Sequence, residues 1–432
     1  MSPRNAHFLG NVLIALLAAL GPLTASAQTR MRVTPSIRVS QEYESNVLYR
    51  EKNEESDLVT RVTPKLSLDF EGDRGHARVW GGLHSRMYQD VTDLDAVDRF
   101  LSWDVDQRLS QRFALYSEGS LAYFEDLDPV EQGDFFGAGR PDQQNLRAQA
   151  GLRYALTPAS SLSASFGYLD LDFSFGDTEP ANGRRDSESR FGALSYVRNL
   201  TPRDQILASL SYQETDFSRV GSGLIGIASE TSETLAGSAG WSRAWSPAWT
   251  TRFTAGLRWL ESETEATDDR SLGVVGGVEL TRAFERGSLI LSYERESRPS
   301  SGLGSTLDTD NLEVSYRSRL SERLSLKIQG GYSHYRSASE TLIGKGAPLF
   351  GFICPVGSVN LGGVCVAQID DEIDTTLLTG FVQLDWRIRK RLSTFVSYRY
   401  RDQSSDGTRQ VGEFDNHRVM LGFQYAYPIR PN

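Results

Sequence analysis

Apolar side chains recur at every second position in segment after segment of this chain, and that period leaves few folds open. Leu146, Ala148, Ala150, Leu152 and Tyr154 alternate with Arg147, Gln149, Gly151 and Arg153. Leu312, Val314 and Tyr316 alternate with Glu313, Ser315 and Arg317, and Leu324, Leu326 and Ile328 with Ser325, Lys327 and Gln329. Thr394, Val396, Tyr398 and Tyr400 do the same against Phe395, Ser397, Arg399 and Arg401. A period of two gives each strand one greasy face and one polar face, where a helix would repeat at 3.6.

The connections between these segments are alternately tight and long. Tight turns are expected at Gly72-Asp73-Arg74-Gly75, Ser110-Gln111, Thr157-Pro158-Ala159-Ser160, Thr201-Pro202-Arg203-Asp204, Ser246-Pro247, Glu285-Arg286-Gly287, Ser321-Glu322 and Arg389-Lys390. Longer, acidic, Gly-rich segments fall near 51–56, 91–97, 126–142, 174–185, 219–229, 264–269, 299–307, 338–371 and 404–412. Eight tight turns and nine loops join about eighteen strands, with both termini on the tight-turn side. Strands near 77–90 and 230–245 alternate poorly. The expected fold is all-β: a transmembrane antiparallel up-and-down β-barrel of the bacterial outer-membrane type, in one domain over residues 28–432. A propeller or solenoid would show a recurring motif at a fixed period, and none is evident. Eighteen strands about 4.8 Å apart and tilted near 40° enclose a backbone cylinder roughly 35 Å across.

Both ends of the chain agree with export. Residues 1–27 read as a signal peptide, with Arg4 and His7 before an apolar run from Phe8 to Leu20 and a small-residue site at Ala25-Ser26-Ala27. The run is too short to span a bilayer, and no later segment is apolar enough to do so as a helix. At the other end Leu421, Phe423, Tyr425 and Tyr427 alternate with Met420, Gly422, Gln424 and Ala426. This final strand resembles the assembly signal of outer-membrane barrels, with Gly422, Tyr425 and Tyr427 in register and Met420 where a polar residue is usual. Outer-membrane lipid, lipopolysaccharide and the barrel-assembly machinery are therefore expected partners.

Without the signal segment the net charge is about −11, which argues against nucleic acid as the main partner. Cys354 and Cys365 are the only cysteines, and an even pair in an exported chain is expected to form one disulfide in loop 338–371. That loop also holds Leu349, Phe350, Phe352 and Ile353, so it either folds into the bore or packs on itself outside.

With the apolar phase facing lipid, the other phase lines the lumen. Its basic residues are Arg38, Arg61, Lys65, Arg147, Arg153, Arg252, Arg258, Arg317, Arg319, Lys327, Arg387, Arg399, Arg401 and Arg418. Fewer acids share it, among them Glu42, Glu44, Asp69, Glu279, Glu313 and Asp385. A basic lining favours anionic solutes, whereas the same arginines paired with lumen acids would only stiffen the wall. Aromatics near strand ends (Tyr43, Tyr49, Trp241, Trp245, Trp249, Trp259, Trp386, Tyr425 and Tyr427) are expected in interfacial belts.

Nothing points to catalysis. His76, His84, His334 and His417 lie far apart, no serine sits in a nucleophile elbow, and no metal or cofactor is expected. The acids at Asp370–Asp374 and Asp402–Asp406 lack the spacing of a calcium loop and read as solvated.

The segment Val33-Thr34-Pro35-Ser36-Ile37-Arg38-Val39-Ser40-Gln41-Glu42-Tyr43-Glu44-Ser45-Asn46-Val47 resembles the opening of the β-barrel porin 2 family. Glu55-Ser56-Asp57-Leu58-Val59-Thr60-Arg61-Val62-Thr63-Pro64-Lys65-Leu66-Ser67-Leu68 resembles that family's second strand. Its members accompany exopolysaccharide and PEP-CTERM systems. The resemblance implies export of a polysaccharide with periplasmic and inner-membrane synthesis partners; an anion-preferring diffusion porin and a surface-binding barrel are the alternatives.

Overall fold

The computed structural model describes residues 30–125, 142–174, 186–218, 229–264, 268–300, 305–337, 358–361, 364–367, 374–406 and 412–429. The signal segment, Cys354 and most of loop 338–371 lie outside the described residues. Of Cys365 only its backbone place, in a short hairpin, is described.

The first strands are β1 (Arg30–Glu44), β2 (Asp57–Gly72), β3 (Gly75–Tyr88), β4 (Ala96–Arg108), β5 (Phe113–Phe124) and β6 (Asp142–Thr157). There follow β7 (Ser160–Ser174), β8 (Ser187–Asn199), β9 (Asp204–Phe217), β10 (Glu230–Ser246), β11 (Trp249–Thr264) and β12 (Asp268–Phe284). Next come β13 (Gly287–Ser300), β14 (Ser305–Arg319) and β15 (Leu324–Ser337), then the loop hairpin β16 (Ser358–Leu361) and β17 (Val364–Ala367). The last are β18 (Asp374–Arg389), β19 (Leu392–Ser405) and β20 (Phe414–Ala426).

Among the described residues, all strands but β16 and β17 form a single 18-stranded antiparallel sheet. Each of these eighteen pairs with its neighbours in chain order, and β20 returns to pair with β1. Closure gives every one of the eighteen strands a partner on both sides, which is what a sheet needs in order to stand in hydrocarbon. The tight turns fall at the eight expected places, and the long connections all lie at the opposite end.

The pairing fixes which way every side chain points. Arg38 lies opposite Thr63, Thr63 falls on the rung of His84, and His84 lies opposite Asp98. Followed around all eighteen strands, this parity returns to Arg38 through Gln424 without a slip. The opposite phase carries Val39, Leu101, Phe166, Leu257, Val274, Val382, Leu421 and Phe423, all exposed. A closed barrel with an apolar exterior and a polar interior is an outer-membrane barrel, and this chain resides in that membrane.

Aromatic residues stand at both ends of the apolar band. Trp245, Trp386, Tyr425 and Tyr427 are exposed near the tight turns, and Tyr43, Tyr212 and Trp259 toward the loops. Tyr49 is a correction to the expected belt. It turns inward at φ 51°, donates to Glu44 at 2.8 Å and sets its ring edge-on to Phe414 at 5.2 Å. A strand-based phase cannot place it, because it sits in a turn.

Two further corrections concern loops. In the segments read as loops at 264–269 and 299–307, the described residues 264, 268, 269, 299, 300 and 305–307 belong to strands β11, β12, β13 and β14. Asp308, Thr309 and Asp310 put polar residues on both faces because these strands run past the hydrocarbon. Apolar alternation is required only where one face meets lipid.

Candidate functional site

The lumen divides into two unlike walls. From β7 to β10 the inward side chains are nearly all uncharged: small ones such as Ser161, Ser163, Ser165, Gly167, Ser189, Ala193, Ser209, Ser211, Ser232, Ala236 and Ser238 alternate in level with apolar ones such as Leu169, Phe191, Leu207 and Phe217. Among the described residues of these four strands, Glu230 is the one inward-facing charge. The wall from β13 through β20 and on to β6 carries the charges and the rings. All fourteen basic residues singled out from the sequence fall on the inward phase, as do Glu42, Glu313 and Asp385.

On the charged wall, cations lie over aromatic rings. Near the tight turns the Arg38 guanidinium sits 4.5 Å from the Phe395 ring centre and also donates to Gln424. At mid-wall Lys327 and Arg399 share Phe381, at 5.0 and 5.4 Å. Toward the loops Arg401 lies 5.7 Å from Phe414. Farther along the same wall, Lys65 on β2 approaches Trp80 at 5.5 Å and Arg153 on β6 approaches Tyr116 at 5.8 Å. Each pairing holds a cation in place while its charge still faces the bore.

Gly422 has a defined part in this track. A Cβ there would stand 2.5 Å from the Phe395 ring, so only glycine lets that ring lie flat on the wall beneath Arg38. Gly422 thus shapes the lumen.

Other lumen charges are tied to one another. Arg61 reaches Glu42 at 2.8 Å, and Arg418 reaches Glu44 at 2.7 Å and Glu42 at 3.5 Å, with all four nearly fully buried. Near the tight turns Arg317, Arg319, Lys327 and Asp385 line a recess of about 810 Å³. Arg387 donates to the Glu322 carbonyl, Gln329 donates to Glu313 at 3.4 Å, and Asp385 accepts from Gln383 at 2.8 Å. Arg147 and Arg252 stand on inward rungs opposite Ser120 and Glu279.

The sequence reading missed the contribution of β3. His76, Arg78, Trp80, His84 and Arg86 all point inward, Arg78 toward Asp69 at 2.5 Å and Arg86 toward Asp98 at 3.1 Å. It also missed inward acids at Asp57, Asp98, Asp104, Glu118, Glu294 and Glu296, so the lining is more evenly charged than expected. Of the outward residues on β3, Leu83 and Met87 mark a lipid face only toward the loops, while Ala77, Val79, Gly81 and Ser85 are too small to extend it, and Trp80 blurs the polar face.

At the outer mouth, loops fold back over the wall. Val47, Val59 and Tyr88 form a buried cluster with Leu48, Val91 and Leu94 against it. Asp57 accepts from the backbone of Leu58, Gln89, Asp90 and Val91, tying the β3–β4 connection down. Burial pushes its carboxyl up, but these four N–H groups outweigh that and hold it below the usual range.

The wall itself narrows the bore. The β12–β13 ladder runs from Phe284–Gly287 to Gly276–Arg295, and above that rung β12 stays with β11 while β13 stays with β14. The upper β13–β14 edge tucks inside the opposite strands. Arg258 on β11 grips Asp308 on β14 through both nitrogens at 2.9–3.1 Å, and Ser232 on β10 meets Thr306 at 2.7 Å. Arg258 can lie flat because its neighbour on β12 is Gly273, where a Cβ would stand 2.7 Å from Nε. Glu296 borders a cavity on each side of the tucked edge, of about 350 and 440 Å³.

No family model matches the chain, and no curated protein matches it. It is similar to solved outer-membrane proteins at low identity. Against OccAB4 of Acinetobacter baumannii identity is 11%, covering 93% of this chain and 99% of that one, with a TM-score of 0.45. Against OccK3 (OpdO) of Pseudomonas aeruginosa the values are 13%, 92%, 96% and 0.42. Against the unliganded ferric citrate transporter FecA identity is 10% and the TM-score 0.48, covering 92% of this chain, which spans 64% of FecA.

Proposed function

We propose that this outer-membrane barrel passes a secreted exopolysaccharide, acting with periplasmic and inner-membrane synthesis partners. The observation that carries the reading is the track of cation-bearing rings rising along the β15–β20 wall through Phe395, Phe381 and Phe414. Aromatic faces suit the C–H faces of sugar rings, and the adjoining Arg and Lys suit carboxylate or phosphate substituents. The hydroxyl-rich wall opposite offers exchangeable hydrogen bonds and no strong trap. Conduction needs contacts weak enough to leave and repeated enough to guide, and a spaced series of pairs meets both conditions. The resemblance of residues 33–68 to the β-barrel porin 2 family supports the polymer over a small solute. The expected Cys354–Cys365 bridge belongs to this proposal as a clamp on the outer loop.

A second reading is an anion-preferring diffusion porin, favoured by the tucked β13–β14 edge that narrows the bore. Polysaccharide outside the cell is measured in a deletion strain complemented with wild type or with Phe381→Ala/Phe395→Ala. Lost surface polymer with periplasmic build-up, restored by wild type and only partly by a normally assembled variant, supports export. Unchanged polymer together with free uptake of small anions moves the reading to the porin.

A further inference from the structure

The half-length seam between β12 and β13 differs from its neighbours in a way that implies two arrangements. The β11–β12 and β13–β14 ladders run nearly the full strand length, whereas β12–β13 stops at Gly276–Arg295. Continued in the same register, the ladder would place Val275 opposite Glu296, Val274 opposite Ser297 and Gly273 opposite Arg298. The parity suits a wall: Val275, Gly273, Glu296 and Arg298 would face the lumen, and Val274 and Ser297 the outside. Pro299 would end the extension, because it has no N–H to donate. The two segments are thus patterned to pair, yet the structure holds them apart in an overlap.

We propose that this seam is a gate whose latch is the Arg258–Asp308 pair. With the latch made, the β13–β14 edge stands inside the lumen and divides it. With the latch broken, the edge returns to the wall, completes the β12–β13 ladder and joins the two cavities into one wider bore. Three features support the pair of states. Arg258 and Asp308 come from strands that are not sheet neighbours, so their bond exists only in the overlap. The small inward residues of β8–β10, among them Ala193, Ser209, Ser211 and Ser238, leave room for an inserted edge. Gly273, which receives Arg258 in the overlap, becomes the rung for Arg298 once the edge leaves. This inference rests on the channel reading, because a gate has meaning only where something passes.

The test uses the full mature barrel in lipid bilayers, with two pairs of introduced cysteines assigned by peptide mass. Ser232→Cys/Thr306→Cys joins positions that meet only in the overlap, and Val274→Cys/Ser297→Cys joins positions that meet only in the completed ladder. Oxidation of the first pair is expected to trap a low-conductance state that reductant reverses. Asp308→Asn leaves Arg258 buried without its counter-charge, which should shift the ratio of states toward the open one by roughly tenfold or more. The second pair should then cross-link faster in that background than in wild type. Failure of the second pair to cross-link in either background, or equal rates in both, overturns the gate. A wild-type barrel that conducts nothing would overturn the channel reading, while the cross-linking rates would still decide whether the two arrangements exist.

Discussion

Two seams of this barrel join strands in opposite styles. The β1–β20 seam, where the ends of the chain meet, is stitched along its length. Nine rungs from Ser36–Ala426 to Glu44–Arg418 continue into the Tyr427–Pro35 and Val33–Ile429 bonds at one end. At the other end the buried Glu42, Glu44, Arg61 and Arg418 cluster is capped by Tyr49 and by Asn416, which donates to Glu44 and to the Asn46 carbonyl. The β12–β13 seam also has nine rungs, but its upper half is replaced by an overlap in which the Arg258–Asp308 ion pair and the Ser232–Thr306 hydroxyl pair join the described residues. Both devices bury charge in the same barrel. At the closing seam the charges reinforce a ladder, and at the middle seam they take the place of one.

The largest expected difference follows from removing one cation at each seam. Arg418→Ala leaves Glu42 and Glu44 buried with one fewer counter-charge and should cost roughly 3–5 kcal/mol of barrel stability. Arg258→Ala should cost only about 1–2 kcal/mol, because Asp308 retains Ser297 as a donor and the lower ladder is untouched. Urea midpoints and heat-modifiable gel mobility of the two variants measure this. Equal losses would break the contrast between a seam that holds the barrel closed and one that does not.

Gly273→Val sharpens the comparison without changing any charge. Its side chain would displace the Arg258 guanidinium, at a cost of about 1–3 kcal/mol. Amide exchange in residues 295–298 should fall as the released edge pairs with β12, while that in β1 and β20 stays unchanged. Gly422→Val should cost a similar amount by pushing Phe395 off the closing wall, and there the loss should reach β1, β19 and β20 together.

The smallest effect is expected from acid. The Asp57 carboxyl is held below its ordinary 3.8, so it contributes stability that is complete above that value. The contribution is lost as pH falls through the lowered pKa. Exchange in the β3–β4 connection, corrected for intrinsic rates, should therefore quicken only below about pH 3.8, and Asp57→Asn should loosen the same segment at neutral pH.

Much of the wall was legible in the sequence because lipid imposes a rule on every second residue. Leu312, Val314 and Tyr316 mark their face unambiguously, and the parity of Arg317 follows. Where the lipid-facing set is weak, as with Ala77, Val79 and Gly81, the inward histidines, arginines and tryptophan of β3 could not be assigned. Cross-strand partners such as Phe395 and Gly422, or Lys327 and Phe381, depend on register, which alternation within one strand does not carry. The overlap leaves a fainter trace. The run of inward serines and glycines on β7–β12 has small side chains where a packed edge needs them, yet the alternation continues through β12 and β13 as if they were paired throughout. Tyr49 falls outside its expected belt because a left-handed turn, and no strand, aims it.

The buried cluster at the closing seam also bears on how the molecule is made. Glu44 and Arg418 are separated by 374 positions, so the acid is synthesised and exported long before its partner arrives. Until β20 docks on β1, Glu42 and Glu44 keep their hydration, and an unfinished barrel has no reason to draw them inside. Their burial becomes favourable at the step that joins first strand to last, so this cluster adds stability only to the finished barrel. A chain shortened by its final strand would keep Glu42 and Glu44 without Arg418 and would leave β1 with an open edge.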